Sequence, residues 1–285
     1  MPAEHRYLTG DGTMGTAGNW IGETGNIVPI AGDTAIVGGL CAADATDVGA
    51  AVDVDMLAWE IHETYRYSFG TSAAPIGVAA TTINLFSNGP VFMECASTLN
   101  VDMLLGALAR PDVVCELGSA TGATGEWVDM WLLRGHYTLK VNIDLTAARV
   151  FVGYISNPSG DCNLTIAAGA PTLPTYVQDG GYCKAENVIT TATIGNGTLL
   201  KKTAKITTAY VQKAGILNYE YGALAADNTT IHVFAGGLLD LLTNEVPKNI
   251  DNVFVHPGGA LRYSRVLHTF SGTYGLILDK GAILL

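Results

Sequence analysis

From about residue 83 onward, short runs rich in Val, Ile, Thr, Tyr and Leu alternate with glycine turns, and no segment holds a sustained 3.6-residue apolar period. The most helix-like stretch, VDMLLGALA at 101–109, is limited by Gly106 and Pro111. The second half is more regular. TYVQDGGYCKA (175–185), TATIGNGTLLK (191–201), AYVQKAGILNY (209–219), IHVFAGGLLDL (231–241), NVFVHPGGALRY (252–263) and TFSGTYGLIL (269–278) each read as strand, glycine turn, strand. With Gly181, Gly197, Gly215, Gly237, Gly259 and Gly275 as coil-turn markers, the intervals are 16, 18, 22, 22 and 16 residues.

That spacing predicts an all-β solenoid, a right-handed parallel β-helix whose short strands stack coil on coil. A β-sandwich or barrel is the alternative, but barrel hairpins have no reason to repeat one turn at such an interval. About nine or ten coils fit between residue 50 and the end. Three VDM tripeptides, at 54–56, 101–103 and 128–130, suggest equivalent coil positions with Val and Met inward and Asp outward. The opening stretch GNWIGETGNIVPIAGDTAIVGG (18–39) has six glycines and a proline, which excludes a helix. Trp20, Pro29, Gly32 and Asp33 are expected to fold over the first coil as a cap, with TAIVGG as its first strand. The domain reading is therefore an N-terminal arm and cap over 1–48 and a β-helix over 49–285. The apolar ending GLILDKGAILL is expected to be covered, by folding back or by a neighbouring subunit.

Composition narrows the partners. The chain is 48% hydrophobic but only 14% charged, so it can bury a large core while much of its surface stays neutral or is covered. Lys and Arg number 15 against 26 Asp and Glu, a net charge of −11 that argues against nucleic acid. No apolar run approaches the ~20 residues of a membrane span, and the first residues lack the features of a secretory signal. No membrane partner is expected, and synthesis is expected in a cytoplasm. Five cysteines (Cys41, Cys95, Cys115, Cys162, Cys183) lie without CxxC spacing and read as small core residues.

The N-terminal residues carry a resemblance. Asn19-Trp20, Pro29, Gly32-Asp33-Thr34 and the apolar strand after them resemble the opening of phage virion-associated right-handed parallel β-helix proteins, the head-decoration or head-associated group. YSFGTSAAPI (67–76) is similar to a second element of that group. The motifs cover the first ~80 residues; beyond them only the glycine–strand repetition matches, and less uniformly. The resemblance implies a virion component on the capsid surface, with the major capsid protein and neighbouring copies of itself as partners.

Candidate chemistry is sparse. Asp53 and Asp55 alternate with apolar residues, which places both on one strand face at about 6.8 Å, the spacing of an acid–base pair; solvation of an acidic face explains them equally. Glu60 and His62 share a face as a ligand pair or a surface hydrogen bond. The six histidines are single, without HxH or HExxH. GDGTMG (10–15) and GETGN (22–26) lack the lysine of a phosphate loop, and GDGT lacks the acidic ligands of a calcium repeat. Trp127 and Trp131, four apart, are expected on one strand face, as core, protein interface or sugar platform. No catalytic, metal or cofactor residue is assigned, and no cofactor is expected. The expected function is a non-enzymatic structural virion protein of a tailed phage, oligomeric, decorating or cementing the shell by protein–protein contact. The alternatives are a tail or fibre β-helix that binds host glycans, and a carbohydrate-active enzyme.

Overall fold

A computed structural model describes residues 4–46, 55–95, 98–145, 149–153, 162–220, 229–243 and 246–285. Among them the only helix is a single 3-10 turn, Ala17–Asn19. The chain is an all-β, right-handed parallel β-helix of about ten turns. It divides into two compact units, residues 1–148 and 149–285. The expected boundary at 48/49 lies outside the described residues.

The first unit contains β1 (His5–Gly10), β2 (Trp20–Ile21), β3 (Thr34–Cys41), β4 (Asp55–Ile61), β5 (Ile76–Leu85), β6 (Val91–Cys95), β7 (Val101–Ala107), β8 (Val114–Ser119) and β9 (Trp127–Leu139). One wall is the parallel ladder β1-β3-β4-β5-β7-β9, and a second joins the start of β5 to β6, β8 and the end of β9. Inward positions stack into columns, because each coil repeats the register of the one before. Leu8, Val37, Ile61, Leu85, Gly106 and Leu132 form one such column. Gly106 leaves room there for the buried Tyr137, whose hydroxyl would lie 2.5 Å from an added Cβ.

The second unit contains β10 (Arg149–Val152), β11 (Cys162–Ile166), β12 (Leu173–Ala185), β13 (Ile189–Lys201), β14 (Ile206–Tyr219), β15 (Thr230–Val233), β16 (Leu238–Asp240), β17 (Lys248–Val255), β18 (Ala260–Arg262), β19 (His268–Leu278) and β20 (Ile283–Leu284). Long strands β12, β13 and β14 bend through a glycine corner and serve two walls. One wall runs β10-β12-β13-β14-β15-β17-β19; the other runs β11-β12-β13-β14-β16-β18-β20. The second wall's inward column is Leu164, Cys183, Leu199, Leu217, Leu239, Leu261 and Leu284. Gln178 is buried among apolar side chains, and its amide satisfies itself by donating to the carbonyls of Gly180, Gly181 and Thr198 while accepting from Tyr176.

Several sequence expectations need correction. TAIVGG lies in β3 and is not the first strand, since β1 precedes it and pairs with it in parallel. The all-β reading holds even at the most helix-like stretch, 101–109, whose residues 101–107 are strand β7 with ladders on both sides. The VDM copies are not equivalent: Val101 stands opposite Trp127 and Met103 opposite Asp129, a one-residue offset that leaves Met103 outside. Nothing in the chain folds back over GLILDKGAILL among the described residues; Leu278 and Leu284, in otherwise sealed columns, are 41% and 44% exposed.

Candidate functional site

The cap is built from the residues that open the chain. β2 runs antiparallel along the edge of β1, with Leu8 opposite Trp20. Trp20 is fully buried, and its indole N–H donates to the carbonyl of Met14 at 2.7 Å. Arg6 takes an inward position in the first rung, in the column of Ala35, Trp59, Ile83, Leu104 and Met130. A buried guanidinium needs counter-charges, and two are supplied: Asp33 at 2.5 Å and Glu4 at 3.0 Å. Asp33 also accepts the backbone N–H of Glu4 and Ile30, while Glu4 accepts from Thr24. Burial pushes the Asp33 carboxyl up, but the Arg6 bond and the two N–H donors outweigh it and hold it below its ordinary value. Pro29 is buried nearby in sequence, and Gly32 sits at φ +85° in the turn that delivers Asp33. Removing one partner from a buried charge set of this kind costs about 3–5 kcal/mol.

The glycine markers occupy two kinds of place. Gly197 and Gly215 are paired neighbours, and the register on either side puts Gly181, Gly237 and Gly259 at the same corner of successive coils. The corner is crowded because each coil's backbone rests on the carbonyls of the coil before: an added Cβ at Gly215 would be 2.2 Å from the Ile194 oxygen. Gly275 does not belong to this column. It pairs with Asn252 inside β19, and the corner position of that coil falls to Ala282, next to the Ala260–Ile283 pair.

The outer faces hold the remaining candidates. Asp55 is exposed on β4, and Asp53 lies outside the described residues. His62 and Glu60 form a surface hydrogen bond at 3.3 Å. Trp127 and Trp131 part company. Trp127 is buried and donates to the Gly118 carbonyl at 2.7 Å, whereas Trp131 is 37% exposed. The reason is a shared irregularity: two successive residues, 128 and 129, face away from the core and shift the alternation by one. Trp131 stands beside Leu105 across the ladder, one column from Met103, which is 39% exposed. The nearest carboxylates to the patch they form are Asp129, opposite Met103 in the ladder, and the exposed Asp102 beside Met103 in the chain. The YSFGTSAAPI segment turns at Gly70 (φ +74°) behind buried Phe69, and its Ser72 hydroxyl donates to Glu116 at 2.6 Å.

On the other unit, the outward column Tyr210, His232, Phe254, Ile277 runs along one wall, with Phe234, His256 and Asp279 beside it. Ring planes of successive rungs lie nearly parallel: 4.7 Å and 7° for His232 on Phe254, 4.4 Å and 11° for Phe234 on His256. These ring faces are spent on one another, so few of them are free to stack against the C–H face of a sugar. His232 and His256 are 24 residues apart, and only a coil of 22 brings them together. The regular marker interval contained that information, but a search for short histidine spacings does not use it.

No protein-family model, curated protein or solved structure matches this chain. Among the described residues no three His, Cys, Asp or Glu side chains converge to hold a metal ion, and no helix is long and apolar enough to cross a membrane.

Proposed function

We propose that this protein is a structural, assembly-forming β-helix that acts by protein–protein contact, and that the assembly is a tailed-phage virion in which it decorates or cements the capsid shell. The observation that carries the contact reading is the outward Met103–Leu105–Trp131 patch on a rigid ladder. A tryptophan left about a third exposed beside aliphatic side chains, with carboxylates at the Met103 edge of the patch, has the make-up of an interface centre with a polar rim. The virion reading rests on the N-terminal motifs, whose residues here build the cap. Its partners are the major capsid protein and neighbouring copies of this chain, with affinity multiplied by copy number.

The test is quantitative mass spectrometry of purified particles, taking this protein's copy number against the major shell protein. A ratio near one, or a simple fraction such as one third, is expected for a shell decoration. A few copies per particle would move it to a tail, vertex or fibre, and complete absence would remove the virion reading.

A further inference from the structure

On the outer wall of the second unit, three titratable side chains are joined in a line. Asp279 Oδ2 is 3.0 Å from Nδ1 of His256, and Nε2 of His256 is 3.3 Å from Nδ1 of His232. The two imidazole centroids are 5.6 Å apart and their planes differ by 4°. The centroid separation exceeds the N···N distance by the two ring radii, so the N···N vector passes through both ring centres. The rings therefore meet edge to edge in one plane, the geometry of a straight hydrogen bond. Phe234 covers a face of His256, while Tyr210 and Phe254 stack on His232.

The partners fix the protons. An ionised carboxylate only accepts, so Nδ1 of His256 carries a hydrogen and, in the neutral ring, Nε2 accepts. Nδ1 of His232 must then donate, which leaves the lone pair on Nε2 of His232. That nitrogen has no hydrogen-bond partner among the described residues and is not sealed from solvent. We propose that Asp279, His256 and His232 form a proton relay that takes up one proton with its hydrogen bonds intact and is broken by a second, making this wall a two-step pH sensor.

In the first step a proton binds Nε2 of His232, and the Nδ1 proton of His232 passes to Nε2 of His256. One N–H bond breaks and two form. The imidazolium is His256, held between the Asp279 carboxylate and Nδ1 of His232, and every hydrogen bond survives with its direction reversed between the rings. Nε2 of His232, which faces any partner on this wall, has turned from acceptor to donor. Within the two rings, a second proton can enter only at Nδ1 of His232. It sets N–H against N–H and one cation against another, and the bond between β15 and the turn after β17 is lost. Burial, and then the charge of His256, pushes the His232 imidazole down in the same sense. On the outer side, the other ionisable groups of the elements packed against the pair are Tyr210 and Lys213 of β14, Tyr274 of β19 and Lys280 after it; Tyr219, Lys248, Asp251 and His268 of the same strands are buried.

Histidine ring 1H–15N spectra of the full chain, recorded from about pH 8 to pH 4, test this together with amide hydrogen exchange. Two separated steps are expected, the first registered by both rings at once. Amide protection relative to the intrinsic exchange rate at each pH should fall at the second step in β15, β17 and β19 but not in β13. Asp279→Asn should move the first step to lower pH, since the charge that holds the proton is gone. His232→Phe keeps the ring stack and should leave His256 with a single step. Independent one-step titration of the two rings, or a first step unmoved in Asp279→Asn, or a His256 profile unchanged in His232→Phe, would overturn the relay.

Discussion

Lys201 shows what one side chain can cost a solenoid. It is fully buried in an inward position at the end of β13, where its ammonium donates to the carbonyls of Ala185 and Asn187. Burial lowers its pKa from 10.5 to about 8, and the nearby Cys183 and Glu186 only partly oppose this. The folded chain releases this proton at about 8 and the unfolded chain at 10.5, so between those values the unfolded state binds more protons. Stability must therefore rise with pH across that window, by about 3 kcal/mol in total if the lysine acts alone. Urea unfolding at pH 7 and pH 10 should show this gain in the wild type relative to Lys201→Met, in which the term is absent. Equal pH slopes in the two proteins would mean that the lysine reaches water in the fold.

At the scale of the element, the glycine corner is what makes one coil resemble the next. Two reasons for glycine can be separated. Gly32 has φ +85° with open space around it, whereas Gly215 has no left-handed φ but rests on the Ile194 carbonyl. Gly32→Ala should cost about 1–2 kcal/mol of backbone strain. Gly215→Ala must push two coils apart and should cost about 3 kcal/mol or more. Urea midpoints measure both, and the reverse order would refute the stacked-corner account. The corner was legible in the sequence because steric contact with the previous coil selects glycine in five successive coils, with Ala282 only in the last, which leaves a periodic mark. Gly275 shares the residue type but not the contact, so the interval ending on it measured something else. The Trp127–Trp131 pair misled for a related reason: period-two reasoning holds only inside a straight strand, and residues 128 and 129 break it. His232 and His256 were out of reach until coil length converted sequence separation into rungs.

Over the whole chain, low charge and odd cysteine count have one physical origin in columns of inward side chains that exclude water. The cysteines are members of those columns. Cys183 stacks between Leu164 and Leu199, and Cys115 between Val91 and Tyr137. All five are buried and none forms a disulfide. Burial pushes the thiols up, to about 11 for Cys95 and about 12 for Cys162 and Cys183, with Cys41 and Cys115 raised as well. Only the thiolate attacks a disulfide reagent, so two barriers act together: no access, and almost no reactive form near pH 8. Native protein treated with an aromatic disulfide reagent at that pH should release less than one equivalent, while protein in concentrated guanidinium should release five. A reducing agent should leave the thermal midpoint unchanged. One or two thiols reacting fast in the native state would mark a column that opens without global unfolding, and mapping the labelled cysteine would identify the coil that gives way.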